Sequence, residues 1–76
     1  MVYGYSARLI DINKKANRQL IGVRLGRVCI RNDFPVAKVA YRLGVSRQTV
    51  YNWFCGDTSP QESSMPAVEK LIESLS

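Results

Sequence analysis

The stretch that decides the fold of this chain is residues 36–55, VAKVAYRLGVSRQTVYNWFC. Its first eight residues place apolar side chains at helical spacing, so a first helix has one apolar face. Gly44 ends that helix, because glycine accepts the left-handed backbone conformation that a sharp exit requires. Ser46 is a good N-cap for a second helix, whose apolar positions are Val50, Trp53 and Phe54. The stretch therefore predicts two short helices joined by a tight turn.

The spacing of small and apolar residues indicates how these two helices pack. A helix-turn-helix motif has a small residue, a glycine four positions later and a β-branched residue six positions after that glycine. Ala40, Gly44 and Val50 have this spacing. The four further apolar positions of the motif are also filled, by Val39, Leu43, Val45 and Trp53. Such a motif offers its second helix to the major groove of DNA. The alternative is an ordinary helical hairpin in which Gly44 is only a C-cap.

The longer segment 36–60, VAKVAYRLGVSRQTVYNWFCGDTSP, strongly resembles the helix-turn-helix of the phage Cro and lambda-repressor family. The resemblance covers residues 18–75 and implies an all-α, lambda-repressor-like bundle of four to five short helices. Residues 18–76 would then be the DNA-binding domain, and residues 1–17 an N-terminal arm or extension. The chain departs from the family at Val36, where a polar, phosphate-binding residue is common. Lys38 and Arg42 are the candidates to replace that contact with the DNA backbone.

The net charge of +5 hides a strong asymmetry along the chain. Ten of the eleven basic residues lie in residues 1–55 together with only two acids, whereas residues 56–76 carry a net charge of −3. A basic body with an acidic C-terminal end suits a polyanionic partner. Because RNA or an acidic membrane would fit the charge equally well, it supports the motif without replacing it.

The segments before the motif are less regular. Residues 1–6 predict an arm or edge segment in which Tyr3 and Tyr5 pack on the body, pair with another subunit or touch DNA. Residues 7–17 fit either a helix or a short strand, and their basic residues form either a solvated surface or a basic arm on DNA. Residues 18–31 predict a helix in which Gly22 and Gly26 let another backbone approach closely. Its stripe of Arg24, Arg27 and Arg31 is either a solvated face or a set of phosphate contacts.

The segments that flank the motif predict a break on one side and a final helix on the other. Asn32 or Asp33 can cap the first motif helix, with Pro35 in its first turn. After the motif, residues 56–64 form a loop of turn residues. A last helix should begin near Met65 with Ser64 as its cap. Its apolar face should close the core against the helix of residues 18–31.

The residue types on the outer face of the second motif helix suit base recognition. Arginine can donate two hydrogen bonds to guanine, and glutamine or asparagine can pair with adenine. The resemblance implies that Arg47, Gln48 and Asn52 read bases, with Tyr51 on a thymine methyl or a phosphate. The candidates for contact with the DNA backbone are Ser46, Thr49, Lys38, Arg42, Arg24, Arg27 and Arg31.

Other functional classes lack their signals in this chain. It has no histidine, no phosphate-cradling glycine loop and no carboxylate cluster in residues 1–55, so we expect neither an enzyme nor a cofactor. Cys29 and Cys55 cannot make a four-ligand zinc site without histidine. There is neither a membrane-spanning apolar run nor a signal-peptide pattern. The cytoplasm of a bacterial host is therefore the expected location.

Together these features predict a sequence-specific regulator of transcription that binds double-stranded DNA. It would be a phage repressor of the Cro type that occupies an operator, acts as a homodimer and excludes RNA polymerase. One alternative is a protein-binding module that engages RNA polymerase or another regulator through the same scaffold. Another is a DNA-targeting accessory of a recombinase.

Overall fold

The computed structural model describes residues 5–76, which form five α-helices and one turn of 3₁₀-helix, with no strand among them. The predictions for Met1–Gly4, including that for Tyr3, lie outside the described residues. The all-α prediction is confirmed, with five helices packed into a body of about 32 × 23 × 21 Å. The helices are α1 (Ala7–Lys15), α2 (Ile21–Arg31), α3 (Val36–Leu43), α4 (Arg47–Cys55) and α5 (Met65–Leu75), with the 3₁₀ turn at Glu62–Ser64.

The predicted pair of helices is present as α3 and α4. Gly44 ends α3 in the left-handed conformation with φ of 67°, and the Val45 N–H donates to the Ala40 carbonyl at 3.1 Å. The Ser46 hydroxyl then accepts the Thr49 N–H at 3.1 Å, which caps the N-terminus of α4. The turn chemistry read from the sequence is therefore confirmed. Val45 is only half-buried, so it covers the turn without being fully enclosed.

Helix α2 lies at the centre of the fold and packs most extensively on α4 and α5. A Cβ atom on Gly22 would lie 2.8 Å from the Trp53 Cβ and 2.9 Å from the Trp53 carbonyl oxygen. A Cβ atom on Gly26 would lie 2.8 Å from the ring of Phe54. The prediction that a second backbone approaches closely is confirmed for Gly22, where the backbone is that of α4, whereas Gly26 makes room for the side chains of Asn13 and Phe54. The predicted closure of the core by α5 on α2 is also confirmed.

Residues 7–15 form a helix that packs on α2 and α4, so of the two alternatives for residues 7–17 the helix is confirmed and the short strand is wrong. Leu9 and Asn13 are buried against α2 and α4. The Asn13 side-chain amide donates to the Val23 carbonyl at 3.2 Å and to the Phe54 carbonyl at 2.8 Å. The Phe54 carbonyl is in the last turn of α4, where it has no partner within the helix. One buried side chain thus joins α1 to both α2 and α4.

One predicted helix start and two predicted helix caps need correction. Helix α2 begins at Ile21 instead of Arg18, because the Asn17 carboxamide oxygen accepts the Gln19 N–H at 2.9 Å and forms a turn there. Helix α3 has Pro35 at its N-cap position and no side-chain cap.

Neither Asn32 nor Asp33 caps α3. The Asn32 amide donates instead to the carbonyls of Val28 and Leu75, and Asp33 has a φ of 53°. Ser64 precedes α5 as predicted, but its side chain makes no capping hydrogen bond, because the 3₁₀ turn leads directly into the helix.

Tyr5 and Cys29 are both buried in the core. The Tyr5 hydroxyl donates to the Phe34 carbonyl. Of the alternatives given for Tyr5, the structure therefore shows packing on the body of the protein. Burial raises the pKa of the Cys29 thiol to about 12. Cys29 is therefore a protonated, unreactive core residue, as predicted from its place in the helical pattern.

Candidate nucleic-acid interface

Helix α4 has one buried face and one polar face. Val50 and Phe54 are fully buried and Trp53 is 4% exposed. Arg47 and Gln48 are exposed, and Asn52 is half-buried on the same side. Because the buried residues face α2, the polar side chains point away from the body of the protein. The inward assignment of Val50, Trp53 and Phe54 is confirmed, but two residues predicted to face outward, Tyr51 and Cys55, are half-buried and pack against the core.

The two amide side chains on the outer face of α4 are joined to each other. Gln48 Nε2 donates to Asn52 Oδ1 at 3.0 Å, across one helical turn. This bond leaves the Gln48 carbonyl oxygen as an acceptor and an Asn52 N–H as a donor. Adenine presents the complementary pair in the major groove, an N6–H donor and an N7 acceptor. Since the two side chains hold each other, less rotamer freedom is lost when they meet a base.

Ser46 and Thr49 are committed to the start of α4. The two hydroxyl oxygens lie 2.9 Å apart, and Ser46 also accepts the Thr49 N–H. Their predicted contact with a DNA backbone would have to use the remaining capacity of the exposed Ser46 hydroxyl. Their first role is to fix where α4 begins, and therefore where Arg47 and Gln48 stand.

Arg8 is a candidate that the sequence reasoning missed. It is exposed at the start of α1, where it lines a groove of about 410 Å³ together with Tyr51 on the flank of α4. Tyr51 is half-buried, so its ring extends the polar face of α4 toward α1. No local signal in residues 7–17 indicated that Arg8 would lie beside the second motif helix, 43 positions away from Tyr51 in the chain. An arginine in this place is suited to a phosphate next to the bases that α4 would meet.

Cys55 lies at the end of the polar face of α4 and is half-buried. Its pKa is raised by partial burial and, to a lesser degree, by the negative charge of Asp57. A raised pKa means that less thiolate is present near neutral pH, so this thiol is a slow nucleophile and not an activated one.

Lys38 and Arg42 are held beside an aromatic ring. The Lys38 ammonium lies 5.8 Å and the Arg42 guanidinium 5.6 Å from the centre of the Phe34 ring. Both distances are within the range of cation–π contacts. Arg42 also lines a groove between α3 and α5 with Lys70. Lys38 and Arg42 are both exposed on α3. Of the two, Arg42 lies beside α5.

The arginines of α2 do not share a surface with the outer face of α4. Gly22 and Gly26 face α4, and Arg24 and Arg31 lie about 180° around α2 from Gly22 at 3.6 residues per turn. Arg27 is half-buried, and its Nη2 donates to the carbonyls of Asn13 and Lys14 at 3.2 and 3.3 Å. Arg27 therefore provides hydrogen-bond donors for carbonyl groups in the last turn of α1. The structure brings Arg47, Gln48, Tyr51 and Asn52 together, and it sets Arg24, Arg27 and Arg31 apart from them.

Two other features of the described residues bear on the kind of partner. Within residues 5–76, no helix has the length and apolar content needed to cross a bilayer. The same residues contain no cluster of three or more side chains suited to hold a metal ion.

Comparisons of the chain with protein-family models, with curated proteins and with solved structures gave no match. The resemblance to the Cro and lambda-repressor family therefore stays a prediction from residues 36–60.

Proposed function

We propose that this protein is a sequence-specific DNA-binding regulator of transcription that places α4 in the major groove of an operator. In this proposal α3, the Gly44 turn and α4 act as a lambda-repressor-like helix-turn-helix. The observation that carries the proposal is the polar face of α4, where Arg47, Gln48 and Asn52 stand opposite a fully buried face. These three residue types are the ones that pair with purine edges.

The surroundings of α4 support this proposal. The glycine turn fixes α4 relative to α3, and the packing of Trp53 on Gly22 fixes it relative to α2. The helix is therefore rigidly held, which base recognition requires. Arg8 beside Tyr51 adds a positive charge at the edge of the polar face. Repression would follow if the occupied operator overlaps a promoter, and a homodimer would read two half-sites one helical turn apart.

The decisive experiment is selection of bound duplexes from a random pool with the purified protein, followed by binding to the selected sequence. If roughly five phosphates are neutralised, the logarithm of the affinity should fall with the logarithm of the salt concentration with a slope near −4 to −5. Failure to enrich any sequence, together with binding that does not depend on salt, would refute the proposal.

Substitution of Gln48 by alanine should weaken binding to the selected duplex by roughly 1–3 kcal/mol and relax the preference at one base pair in each half-site. The physical reason is the loss of the Gln48–Asn52 amide pair that faces the bases. The measurement is a binding series on the selected duplex, its single-base variants and a random duplex. Gln19→Ala is the matched control, because Gln19 is an exposed glutamine in the turn before α2. Unchanged base preferences in Gln48→Ala would rule out the proposed docking of α4.

Alkylation of Cys55 should be slowed by bound DNA, because the thiol lies at the end of the polar face of α4. With the selected duplex at about ten times its Kd, the labelling rate should fall to about one tenth of that of the free protein. Because the pKa of Cys55 is raised, labelling should be measured at mildly alkaline pH, where the thiolate fraction is larger. Cys29, which is 0% exposed, serves as the internal control and should remain unlabelled. Equal rates with and without the duplex would place the DNA on another surface.

One observation favours the second candidate function, a protein-binding module. Tyr41 is 89% exposed on α3 and stands beside Lys38 and Arg42. Tyrosine and arginine are residue types that are enriched in protein interfaces. This candidate predicts binding to RNA polymerase or another regulator that is lost in Tyr41→Ala, while binding to DNA by that variant is unchanged.

A further inference from the structure

A second concentration of positive charge lies away from α4. Arg18, Arg24, Arg27 and Arg31, here called the arginine row, line a groove of about 390 Å³ between α2 and the end of α5. An adjoining groove of about 270 Å³ shares Arg27 and Arg31 and adds Lys14. No aspartate or glutamate lines either groove. The arginine row and Lys14 thus line two adjoining grooves whose other lining side chains are apolar or neutral.

Within the described residues no arginine of the row has a carboxylate within 4.0 Å, and the acidic residues beside the row are Glu69 and Glu73, which share a groove with Arg24. Among residues 5–76 the only ion pair within 4.0 Å is that of Lys15 with Asp11. The Arg27 Nε is buried and, in the same residues, has no hydrogen-bond partner. Like charges gathered on one surface repel each other, which destabilises the folded state. An anionic ligand would remove this repulsion.

The shape of the arginine row fits a chain of phosphates better than a single one. Arg24 and Arg31 are seven residues apart on one helix, which corresponds to about 10 Å along its axis. One strand of duplex DNA carries a phosphate about every 3.4 Å along its axis, so this length spans about three phosphates. Glu69 and Glu73 line a further groove with Arg24, so they bound the row on that side. A bound strand would therefore run from Arg24 toward Arg31 and Lys14.

The position of the arginine row relative to α4 identifies which duplex it can meet. The buried face of α4 packs on α2, and the row lies on the side of α2 that faces away from α4. The polar face of α4 and the row are thus on opposite sides of two packed helices, about 20 Å apart for two helix diameters of about 10 Å each. A straight duplex that lies on one of these surfaces does not reach the other.

We propose that the arginine row binds the sugar-phosphate backbone of a second DNA segment, so that one protein molecule holds two duplexes on opposite sides. The role of α4 as the holder of the first duplex rests on the proposed function, but the arginine row stands on its own charge and geometry. Because phosphate contacts carry no direct sequence information, the second segment is bound without regard to its sequence.

The test is capture of a second duplex. The selected duplex is immobilised, saturated with protein and washed, and a fluorescent random duplex is then added at about 50 mM salt, where contacts to phosphate are strong. The wild-type protein should retain the random duplex. The double variant Arg24→Ala/Arg31→Ala should retain it at least about tenfold more weakly, since two phosphate contacts are removed. It should hold the selected duplex as tightly as the wild type does. Arg27 is left in place because it binds the α1 carbonyls.

The matched control is Lys15→Ala/Lys70→Ala, which removes the same charge from two exposed lysines outside the row and outside α4. It should retain the random duplex as the wild type does. Equal loss in both double variants would show a general charge effect and overturn the proposal. Unchanged capture by Arg24→Ala/Arg31→Ala would overturn it as well, because a dimer could then hold the second duplex through its other α4. Parallel loss of the selected duplex would place the row on the first segment and also overturn it.

A further arm separates a strand of DNA from a free phosphate. Inorganic phosphate at constant ionic strength should displace the random duplex no better than chloride does, and preferential displacement would make a small phosphate the occupant instead. A failure of the proposed function can be distinguished from a failure of this inference about the arginine row. If the selection enriches no sequence but binding of a random duplex still depends on Arg24 and Arg31, the row remains a DNA surface and only the role of α4 is refuted.

Discussion

Replacement of Trp53 by alanine is expected to lower the free energy of unfolding by about 3–5 kcal/mol. Trp53 is 4% exposed and belongs to the hydrophobic core cluster, so removal of its indole leaves a cavity in the core. Stabilities of roughly 0.05–0.15 kcal/mol per residue are usual, so a domain of this size can lose most of its stability. Thermal and urea unfolding followed by circular dichroism would measure the effect. Because α4 is held in place by this core, DNA binding should fall together with the folded fraction.

Tyr41→Ala is the control for this loss of an aromatic side chain. Tyr41 is 89% exposed, and its removal should change the unfolding free energy by no more than about 0.5 kcal/mol. A Trp53→Ala variant as stable as Tyr41→Ala would mean that the buried face of α4 is assigned to the wrong residues.

Substitution of Gly22 by alanine is expected to destabilise the protein by about 1–3 kcal/mol through overpacking. In an unpacked helix the same change would be favourable, since glycine costs about 1 kcal/mol relative to alanine. The contact between α2 and α4 reverses the sign of the expected change in stability. The new Cβ would meet the Trp53 carbonyl oxygen at 2.9 Å and its Cα at 3.1 Å, and backbone atoms cannot turn aside as a flexible side chain can. Helices α2 and α4 would have to separate, and the loss would be seen as a lower unfolding midpoint in urea.

Arg24→Ala provides the comparison within the same helix. Arg24 is exposed on the opposite side of α2, so its replacement by the smaller alanine removes no buried side chain. This variant should unfold within about 0.5 kcal/mol of the wild type. If Gly22→Ala were more stable than the wild type, the close approach of α2 and α4 would be wrong.

The sequence alone was sufficient for those features that depend on neighbouring residues in the chain. The apolar spacing of residues 36–55 gave the correct inward face of α4, because helical periodicity places Val50, Trp53 and Phe54 on one side. Gly44 and Ser46 marked the turn correctly, because the left-handed conformation and the N-cap are local properties. Gly22 and Gly26 indicated a close approach, since two glycines inside a helix are unfavourable without one. These features also place Arg47, Gln48 and Asn52 on the side of α4 that faces away from α2.

The tertiary structure decided which helices meet and therefore which charges share a surface. Asn13 joins α1 to Phe54, 41 positions away, and no local pattern indicates a contact over such a distance. The same docking of α1 brings Arg8 beside Tyr51. It also lets the Arg27 guanidinium donate hydrogen bonds to carbonyl groups in the last turn of α1. A helical pattern shows that Arg24 and Arg31 share a face, but not that this face lies opposite α4. That depends on the glycine side of α2 being covered by α4, which only the packing of residues distant in the chain can determine.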